Sequence, residues 1–266
     1  MGHAGALVRP EPQGGVQAAP GRPTAGARSH RERLSARGAA HPGGYGPARP
    51  PPDRAAARRL RPGTSAVKRI RRQDVLDLSG YERVREEFRA RLIELKRPRR
   101  IAVGSRLTFI FENYDTVLFQ IQEMLRTEHT VKEEEIQAEI DVYNELIPAA
   151  YDLSATLMIE IPEADLIREE LDRLIGIDER VLLEIGEASV PASFDPKQYE
   201  GDRISAVQYV RFPLGPELAE RFADFEVPVS LRVVHPHYHA SALIEGSSRA
   251  SLAQDLEPDD EPQLTS

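Results

Sequence analysis

Three histidines at alternate positions form the most conspicuous cluster of chemically competent side chains in the sequence. They lie in the segment His235-Pro236-His237-Tyr238-His239. Residues two apart in an extended strand point to the same face, and imidazole is a good ligand for transition metals. The spacing therefore predicts a candidate metal site at His235, His237 and His239. Pro236 interrupts a strand, however, and favours the alternative of ordinary solvated histidines.

Amide and carboxylate side chains form a second group of candidates, in two dense stretches and one strand. If the two predicted helices that carry the stretches pack antiparallel, these groups line a cleft or a protein interface; the alternative is a solvated helix face. In the first stretch Gln122 and Arg126 are four residues apart and share a helical face. The candidate interaction or ligand residues are Glu112, Asn113, Asp115, Gln120, Gln122, Glu123, Arg126, Tyr143, Asn144, Glu145, Arg203 and Gln208.

Polar side chains also occur in a predicted strand and in two basic patches. Gln208 and Arg211 add an amide and a charged side chain to an otherwise apolar strand, which indicates either an edge that faces a partner or a sheet with one wet face. The patches at 68–72 and 96–100 lack interleaved aromatic residues on which bases could stack. Nucleic-acid binding is therefore not predicted.

The residue types exclude several classes of chemistry. The chain has no cysteine, so disulfides, thiolate nucleophiles and cysteine-ligated clusters are excluded for the chain itself. It contains no His-Glu-x-x-His, Gly-x-Gly-x-x-Gly, phosphate-loop or Gly-x-Ser-x-Gly motif, and no Glu-x-x-His pair of a di-iron bundle. No catalytic residue and no cofactor is predicted, and a non-catalytic role is favoured.

The formal charge of -8 averages two unlike pieces of the chain. Residues 1–66 hold 11 arginines and 3 acids, a charge of +8, which leaves -16 for the remainder. The first piece is also rich in Pro, Gly and Ala, so it is predicted to be disordered. Three interpretations of it stay open: a basic arm, an organelle transit peptide, or sequence upstream of a start at Val67.

The remainder contains all 8 Phe and 7 of the 8 Tyr and suits one domain. Apolar residues recur at helical spacing in its first half, including a helix with a Ser79-x-x-Glu82 capping box, and β-branched strands with a hairpin at Gly186 dominate the second half. This order predicts an α+β fold with N-terminal amphipathic helices packed on a mainly antiparallel sheet. We expect a globular domain over 67–239 and a disordered acidic tail over 240–266. No apolar run reaches the length of a membrane span, and a cytoplasmic location is predicted.

Several strings of residues resemble a bacterial family with a domain of unknown function. They include Gly80 to Arg85, Asp115 to Arg126, Tyr143 to Leu146 and Asp202 to Tyr209, and the similarity spans Lys68 to Tyr238. Genes of this family often lie beside those for rubrerythrin and an iron–sulfur oxidoreductase. The resemblance therefore implies, by association only, a role in redox metabolism or peroxide defence.

The leading hypothesis is a non-catalytic accessory or adaptor protein that docks onto an iron–sulfur oxidoreductase or rubrerythrin through the Asp115 to Arg126 helix and the Tyr143 to Leu146 segment. Reversing the charge of Glu123 or Arg126 is then expected to weaken the complex without unfolding the domain. One alternative is a small-ligand binder or enzyme whose pocket is lined by Asn113, Gln120, Gln122, Asn144 and Arg203. Another is metal binding by the histidine cluster.

Overall fold

The computed structural model describes residues 68–195 and 204–256. Residues 1–67, 196–203 and 257–266 lie outside the described ranges, and with them the predictions made for 1–66 and for Arg203. The α-helices within these ranges are α1 Leu78–Lys96, α2 Tyr114–Glu128, α3 Glu133–Asn144, α4 Ile167–Arg173, α5 Gly215–Ala223 and α6 Gly246–Ala253. The strands are β1 Arg100–Val103, β2 Leu107–Glu112, β3 Asp152–Ile159, β4 Val181–Ile185, β5 Ala188–Pro191, β6 Ser193–Phe194, β7 Val207–Pro213, β8 Val229–His235 and β9 Tyr238–Leu243.

The first three helices begin and end where local chemistry favours it. Asp77 caps α1 by accepting a hydrogen bond from the Gly80 amide at 2.6 Å. The expected Ser79-x-x-Glu82 capping box is therefore wrong, because the cap lies two residues earlier. Asn113 caps α2 by accepting from the Thr116 amide at 3.1 Å. Three glutamates open α3, where the positive end of the helix dipole stabilises them.

The strands form two antiparallel sheets. The first has the order β1-β2-β3-β7-β6 and the second the order β5-β4-β8-β9. The predicted hairpin at Gly186 joins β4 to β5, with Ile185 opposite Ala188 and a positive φ of 60° at the glycine. Such a φ suits glycine, which has no Cβ to clash.

The described residues form three layers with a hydrophobic core between each pair of neighbouring layers. The inner faces of both sheets contribute to one core, for example Phe109 and Phe212 from the first sheet and Leu183 and Leu231 from the second. Helices α1 to α3 build the other core, which Tyr209 of β7 joins from the outer face of the first sheet. The sheets therefore pack face to face, and the helices cover the outer face of the first sheet.

The folded region continues past the predicted boundary at 239. Strand β9 pairs with β8 along its whole length, and α6 buries Leu252. Leu256 and Asp255 are also buried. The boundary is wrong because β9 exposes every second residue, so its Ser- and Ala-rich composition reads like a tail although the strand completes a sheet.

The predicted fold class is confirmed. The chain is α+β, with N-terminal amphipathic helices on an antiparallel sheet. The second sheet, which packs on the opposite face, is the feature that the element pattern did not distinguish.

Candidate functional site

Two of the predicted amide residues bind the segment 68–76 of the chain itself. The Asn144 side chain accepts from the Ile70 amide and donates to the Ile70 carbonyl, both at 2.9 Å. Gln122 makes the same pair of hydrogen bonds to Leu76, at 2.8 and 3.2 Å. Each side-chain amide thus satisfies both backbone groups of one residue, as a neighbouring strand would. Both side chains hold this segment on the helices.

The residues predicted as a docking pair join α1 to α2. The Glu123 carboxylate accepts from Tyr81 Oη at 2.7 Å and from Arg85 Nε and Nη2 at 2.7 and 2.9 Å. Arg126 donates to Glu82 at 2.9 Å. Burial alone would raise the pKa of Glu123, but the hydrogen bonds from Arg85 and Tyr81 outweigh it and hold the pKa below its usual range. Both predicted docking residues are therefore engaged within the helical layer.

Glu112 and Asn113 serve the junction between β2 and α2. Glu112 is 2% exposed, and its carboxylate accepts from Thr116 Oγ1 at 2.5 Å and from Thr156 Oγ1 at 2.7 Å. Asn113 exchanges hydrogen bonds with Thr116 as the helix cap. These two candidates position the start of α2.

The remaining helical candidates are dispersed. Asp115 is buried in the first turn of α2, and Gln120 is half-buried on the same helix. Tyr143 is 3% exposed, and burial raises the pKa of its phenol. Asn113, Gln120 and Gln122, which are predicted to line one pocket with Asn144 and Arg203, do not belong to the lining of the cleft that Asn144 lines.

Gln208 lies on the inner face of β7 and is fully buried. Its Nε2 donates to the Ser205 carbonyl at 2.8 Å, while its Oε1 accepts no hydrogen bond from the described residues. The hydrogen bond to Ser205 helps to shape the start of β7.

The three histidines do not converge, so the predicted metal site is wrong. His235 and Tyr238 face each other across a tight turn between β8 and β9, which places His239 on the opposite face of the hairpin. His235 is 4% exposed; its Nε2 lies 3.0 Å from the Ile175 carbonyl, and its Nδ1 accepts from the His237 amide at 3.2 Å. Within the described ranges, no three His, Cys, Asp or Glu side chains are grouped to hold a metal ion. The strand alternation that motivated the prediction is broken by the turn at Pro236.

An open cleft of about 630 Å³ lies where the C-terminal end of α3 meets the edge of the first sheet. Segment 68–76, α3 and the following loop form one wall, and β3, β7 and β6 form the other. Of the predicted candidates, Asn144 and Glu145 line it. The lining residues are Arg69, Asp141, Val142, Asn144, Glu145, Leu146, Ser154, Ser193, Phe194, Asp195, Tyr209, Val210 and Arg211.

A row of polar side chains crosses the first sheet and reaches this cleft. Glu112 pairs with Ser154, Ser154 with Arg211, and Arg211 with Ser193. Directly opposite residues of an antiparallel sheet share a face, so all four project to the outer side. Ser154, Arg211 and Ser193 from this row line the cleft.

Two arginines hold their guanidinium groups at the C-terminal end of α3. Arg211 Nη2 donates to the Glu145 carbonyl and lies 3.4 Å from the Ile147 carbonyl. Arg69 Nη1 donates to the Asn144 carbonyl and also lies 3.4 Å from the Ile147 carbonyl. The last carbonyls of a helix lack partners inside it and attract cations, which explains why both groups gather there.

The charge of Arg211 is only partly compensated. Burial lowers the pKa of Arg211, Asp152 raises it, and the neighbouring charge of Arg69 lowers it again. Burial likewise raises the pKa of Asp152, and Arg211 opposes that rise. A guanidinium stays charged in proteins, so the lowered pKa expresses an electrostatic cost rather than deprotonation.

Sequence reasoning did not single out Arg69, Ser154 or Ser193, and it named Arg211 only as a strand residue. The signal for Ser154 and Arg211 was their alternation with apolar residues, which marks one face of a strand. Nothing in the residue spacing shows that β3 pairs with β7 or that β7 pairs with β6.

No helix among residues 68–195 and 204–256 combines the length and the apolar character that crossing a bilayer requires.

Comparisons with known proteins place the chain among proteins whose function is not known. A solved structure described as a novel protein of unknown function from Burkholderia pseudomallei K96243, determined at 1.90 Å resolution, is 37% identical. The match covers 71% of this chain and 100% of that chain, with a TM-score of 0.67. No curated protein matches the sequence. The family model described as protein of unknown function (DUF3501) matches residues 69–256, and the chain belongs to this family.

Proposed function

We propose that the protein binds a small polar ligand in the cleft between α3 and the first sheet. The observation that carries the proposal is the polar row of Ser154, Arg211 and Ser193, which leads into a cleft of about 630 Å³. Ligand sites are commonly clefts of roughly 300–1,000 Å³ in which a few polar groups set the orientation. The size and the ordered polar groups both fit that description.

The lining combines hydrogen-bonding and charged groups with a few apolar surfaces. Val142, Leu146 and Phe194 supply apolar contact, and the polar side chains lie around them. None of the described histidines belongs to the lining, and the Glu112 carboxylate beside Ser154 is engaged by two threonine hydroxyls. The arrangement therefore supports recognition better than it supports an activated serine nucleophile, which needs an adjacent base.

Filling the cleft tests the proposal. We expect Ser193→Trp to abolish binding, because Ser193 is exposed at the edge strand β6 and lines the cleft. Ser189→Trp is the matched control, since Ser189 is an exposed serine on β5, the edge strand of the other sheet, outside the cleft lining. The measurement is thermal stabilisation during a screen of small polar metabolites.

A ligand at about 100 times its Kd stabilises the folded state by about 2.7 kcal/mol. We expect this gain for the wild type and for Ser189→Trp, and its loss for Ser193→Trp. A ligand that stabilises all three proteins equally would show that it binds elsewhere and would refute the proposal. The absence of stabilisation by any compound in a broad screen would count equally against it.

The second proposal is the accessory role beside an iron–sulfur oxidoreductase or rubrerythrin, which the family resemblance implies. Its test must avoid Glu123 and Arg126, because reversing either charge breaks contacts between α1 and α2. Glu145 is a predicted interaction residue that is exposed, and Glu145→Lys reverses its charge at the surface. Co-purification from the native host should recover the partner with the wild type and less of it with Glu145→Lys. A partnerless wild type would refute this role.

A further inference from the structure

The chemistry of the cleft indicates which ligand group is recognised. We propose that Arg69 and Arg211 together bind an oxyanion, a carboxylate or phosphate group of a small organic molecule. This inference rests on the proposed ligand-binding function and specifies the class of its ligand.

The first support is the distance between the two guanidinium groups. One nitrogen of each lies 3.4 Å from the same Ile147 carbonyl oxygen, so these nitrogens are at most 6.8 Å apart, twice 3.4 Å. Charge-assisted hydrogen bonds to carboxylate or phosphate measure about 2.8 Å. One such group can therefore accept from both arginines at once.

The second support is electrostatic. Two positive charges this close repel each other, and Arg211 is also partly removed from water, which is why its pKa is lowered. Asp152 offsets part of this cost for Arg211, and the helix carbonyls that hold both groups carry only partial charges. A ligand that brings a full negative charge would relieve the repulsion, and the free energy gained would appear as affinity.

The third support is the pair of hydroxyl groups that flank Arg211. Ser154 and Ser193 are its direct partners on the two neighbouring strands, and both line the cleft. Partners of this type have Cβ atoms about 4.5–5.5 Å apart. Ser193 is exposed and Ser154 is 3% exposed, so the Ser193 hydroxyl is the more accessible of the two donors for an anion held by Arg211.

The acidic residues of the cleft restrict the rest of the ligand. Asp141, Glu145 and Asp195 line the cleft, and Asp141 already accepts a hydrogen bond from Gln137 Nε2 at 2.8 Å. Carboxylates accept hydrogen bonds and repel further negative charge. The molecule recognised here therefore carries one oxyanion and no second acidic group, as in a hydroxy acid, an amino acid or a sugar phosphate.

The test uses inorganic phosphate and acetate as probes on the full chain. Binding is followed through the side-chain Nε–Hε signals of arginine in NMR titrations, with sodium chloride holding the ionic strength constant. We expect saturable shifts of the Arg69 and Arg211 signals with at least one probe. Arg232 is the control, because it lies on β8 of the other sheet with its side chain 53% exposed and paired with Glu184.

Substitutions decide whether the arginines carry the binding. Arg211→Met and Arg69→Met are each expected to lower the affinity for the probe that gives saturable shifts at least tenfold. Arg232→Met should leave that affinity unchanged. Arg69 is exposed, so Arg69→Met tests the inference even if Arg211→Met fails to fold. Equal shifts of Arg232 and Arg211, or a folded Arg69→Met variant with unchanged affinity, would overturn the inference. A response to phosphate alone or to acetate alone would identify the recognised oxyanion as a phosphate or a carboxylate, respectively.

The outcomes separate this inference from the function on which it rests. A screened metabolite blocked by Ser193→Trp but unaffected by Arg69→Met and Arg211→Met would refute the oxyanion and leave the ligand site standing. Failure of both probes and of every screened compound would refute both.

Discussion

Replacing Arg99 by methionine should destabilise the fold severely, because Arg99 holds α6 and the turn that follows it on the first sheet. Arg99 is 1% exposed, and its guanidinium donates to the carbonyls of Phe111 and Glu112 at 2.9 and 3.1 Å. It also contacts Ser251 and forms an ion pair with the buried carboxylate of Asp255. Methionine keeps the apolar part of the side chain and removes the charge and the hydrogen bonds.

The expected loss follows from the burial of the pair. Removing one partner of a buried ion pair costs about 3–5 kcal/mol, because the other charge stays buried without compensation. Small domains have a free energy of unfolding of about 5–15 kcal/mol, so much of the stability would be lost. With a urea m-value of about 2 kcal/mol/M, the midpoint should fall by about 1.5–2.5 M.

The pH dependence gives the prediction a specific signature. Burial raises the pKa of Asp255, and Arg99 opposes that rise. A carboxyl whose folded-state pKa is raised favours folding when protonated, and this contribution is lost as the pH rises through the folded-state pKa. Without Arg99 the pKa rises further. The cost of Arg99→Met should therefore be smallest near pH 4, close to the unfolded pKa of Asp, and should grow toward pH 7.

Urea denaturation of a double-mutant cycle provides the measurement. Arg99→Met combined with Asp255→Asn should cost less than the sum of the two single changes, because no uncompensated charge remains. Arg100→Met is the matched control: the neighbouring Arg100 pairs with Glu160 at the surface, and such pairs contribute about 0–1 kcal/mol. A loss below about 1 kcal/mol for Arg99→Met at pH 7, or additive effects in the cycle, would refute the reasoning.

Two further predictions concern the helical layer. Glu123→Gln should lower the free energy of unfolding by about 1–2 kcal/mol at pH 7, because it weakens charge-assisted hydrogen bonds to Arg85 and Tyr81. The pKa of Glu123 is lowered in the fold. Its contribution to the free energy of unfolding is therefore present above the unfolded-state pKa and is lost as the pH falls through the folded-state pKa. A difference in urea stability between the wild type and Glu123→Gln that stays constant in acid would contradict this. Asn144→Ala should release segment 68–76 and speed hydrogen exchange of the Ile70 amide, with the exchange of α1 amides as control; unchanged protection of Ile70 would show that Asn144 does not hold the segment.

The elements of the fold are largely readable from local patterns. Asn113 begins a helix because its side chain satisfies a backbone amide of the first turn, and Gly186 closes a hairpin because the turn requires a positive φ. Both effects act over a few residues. Amphipathic periodicity then identifies the buried face of α1 and α2, whatever the face packs against.

The roles of the polar candidates were not readable in this way. Asn144 and Gln122 are conspicuous amides on predicted helices, yet their partners Ile70 and Leu76 are 74 and 46 residues away. A backbone group has no sequence signature as a hydrogen-bond partner. An amide that tethers the chain is therefore indistinguishable from an amide that awaits a ligand until the structure is known.

The amino-acid sequence by itself determined the fold class, the helical faces and the exclusion of thiolate chemistry, because these depend on composition and short-range spacing. Only the tertiary structure decided that β9 and α6 belong to the folded domain, that His235 and His239 lie on opposite faces of their hairpin, and that the guanidinium groups of Arg69 and Arg211 gather at one carbonyl. The reason is register: β3, β6 and β7 bring Ser154, Ser193 and Arg211 together only because the strands align residue by residue. A slip of one residue would turn these side chains to the other face of the sheet.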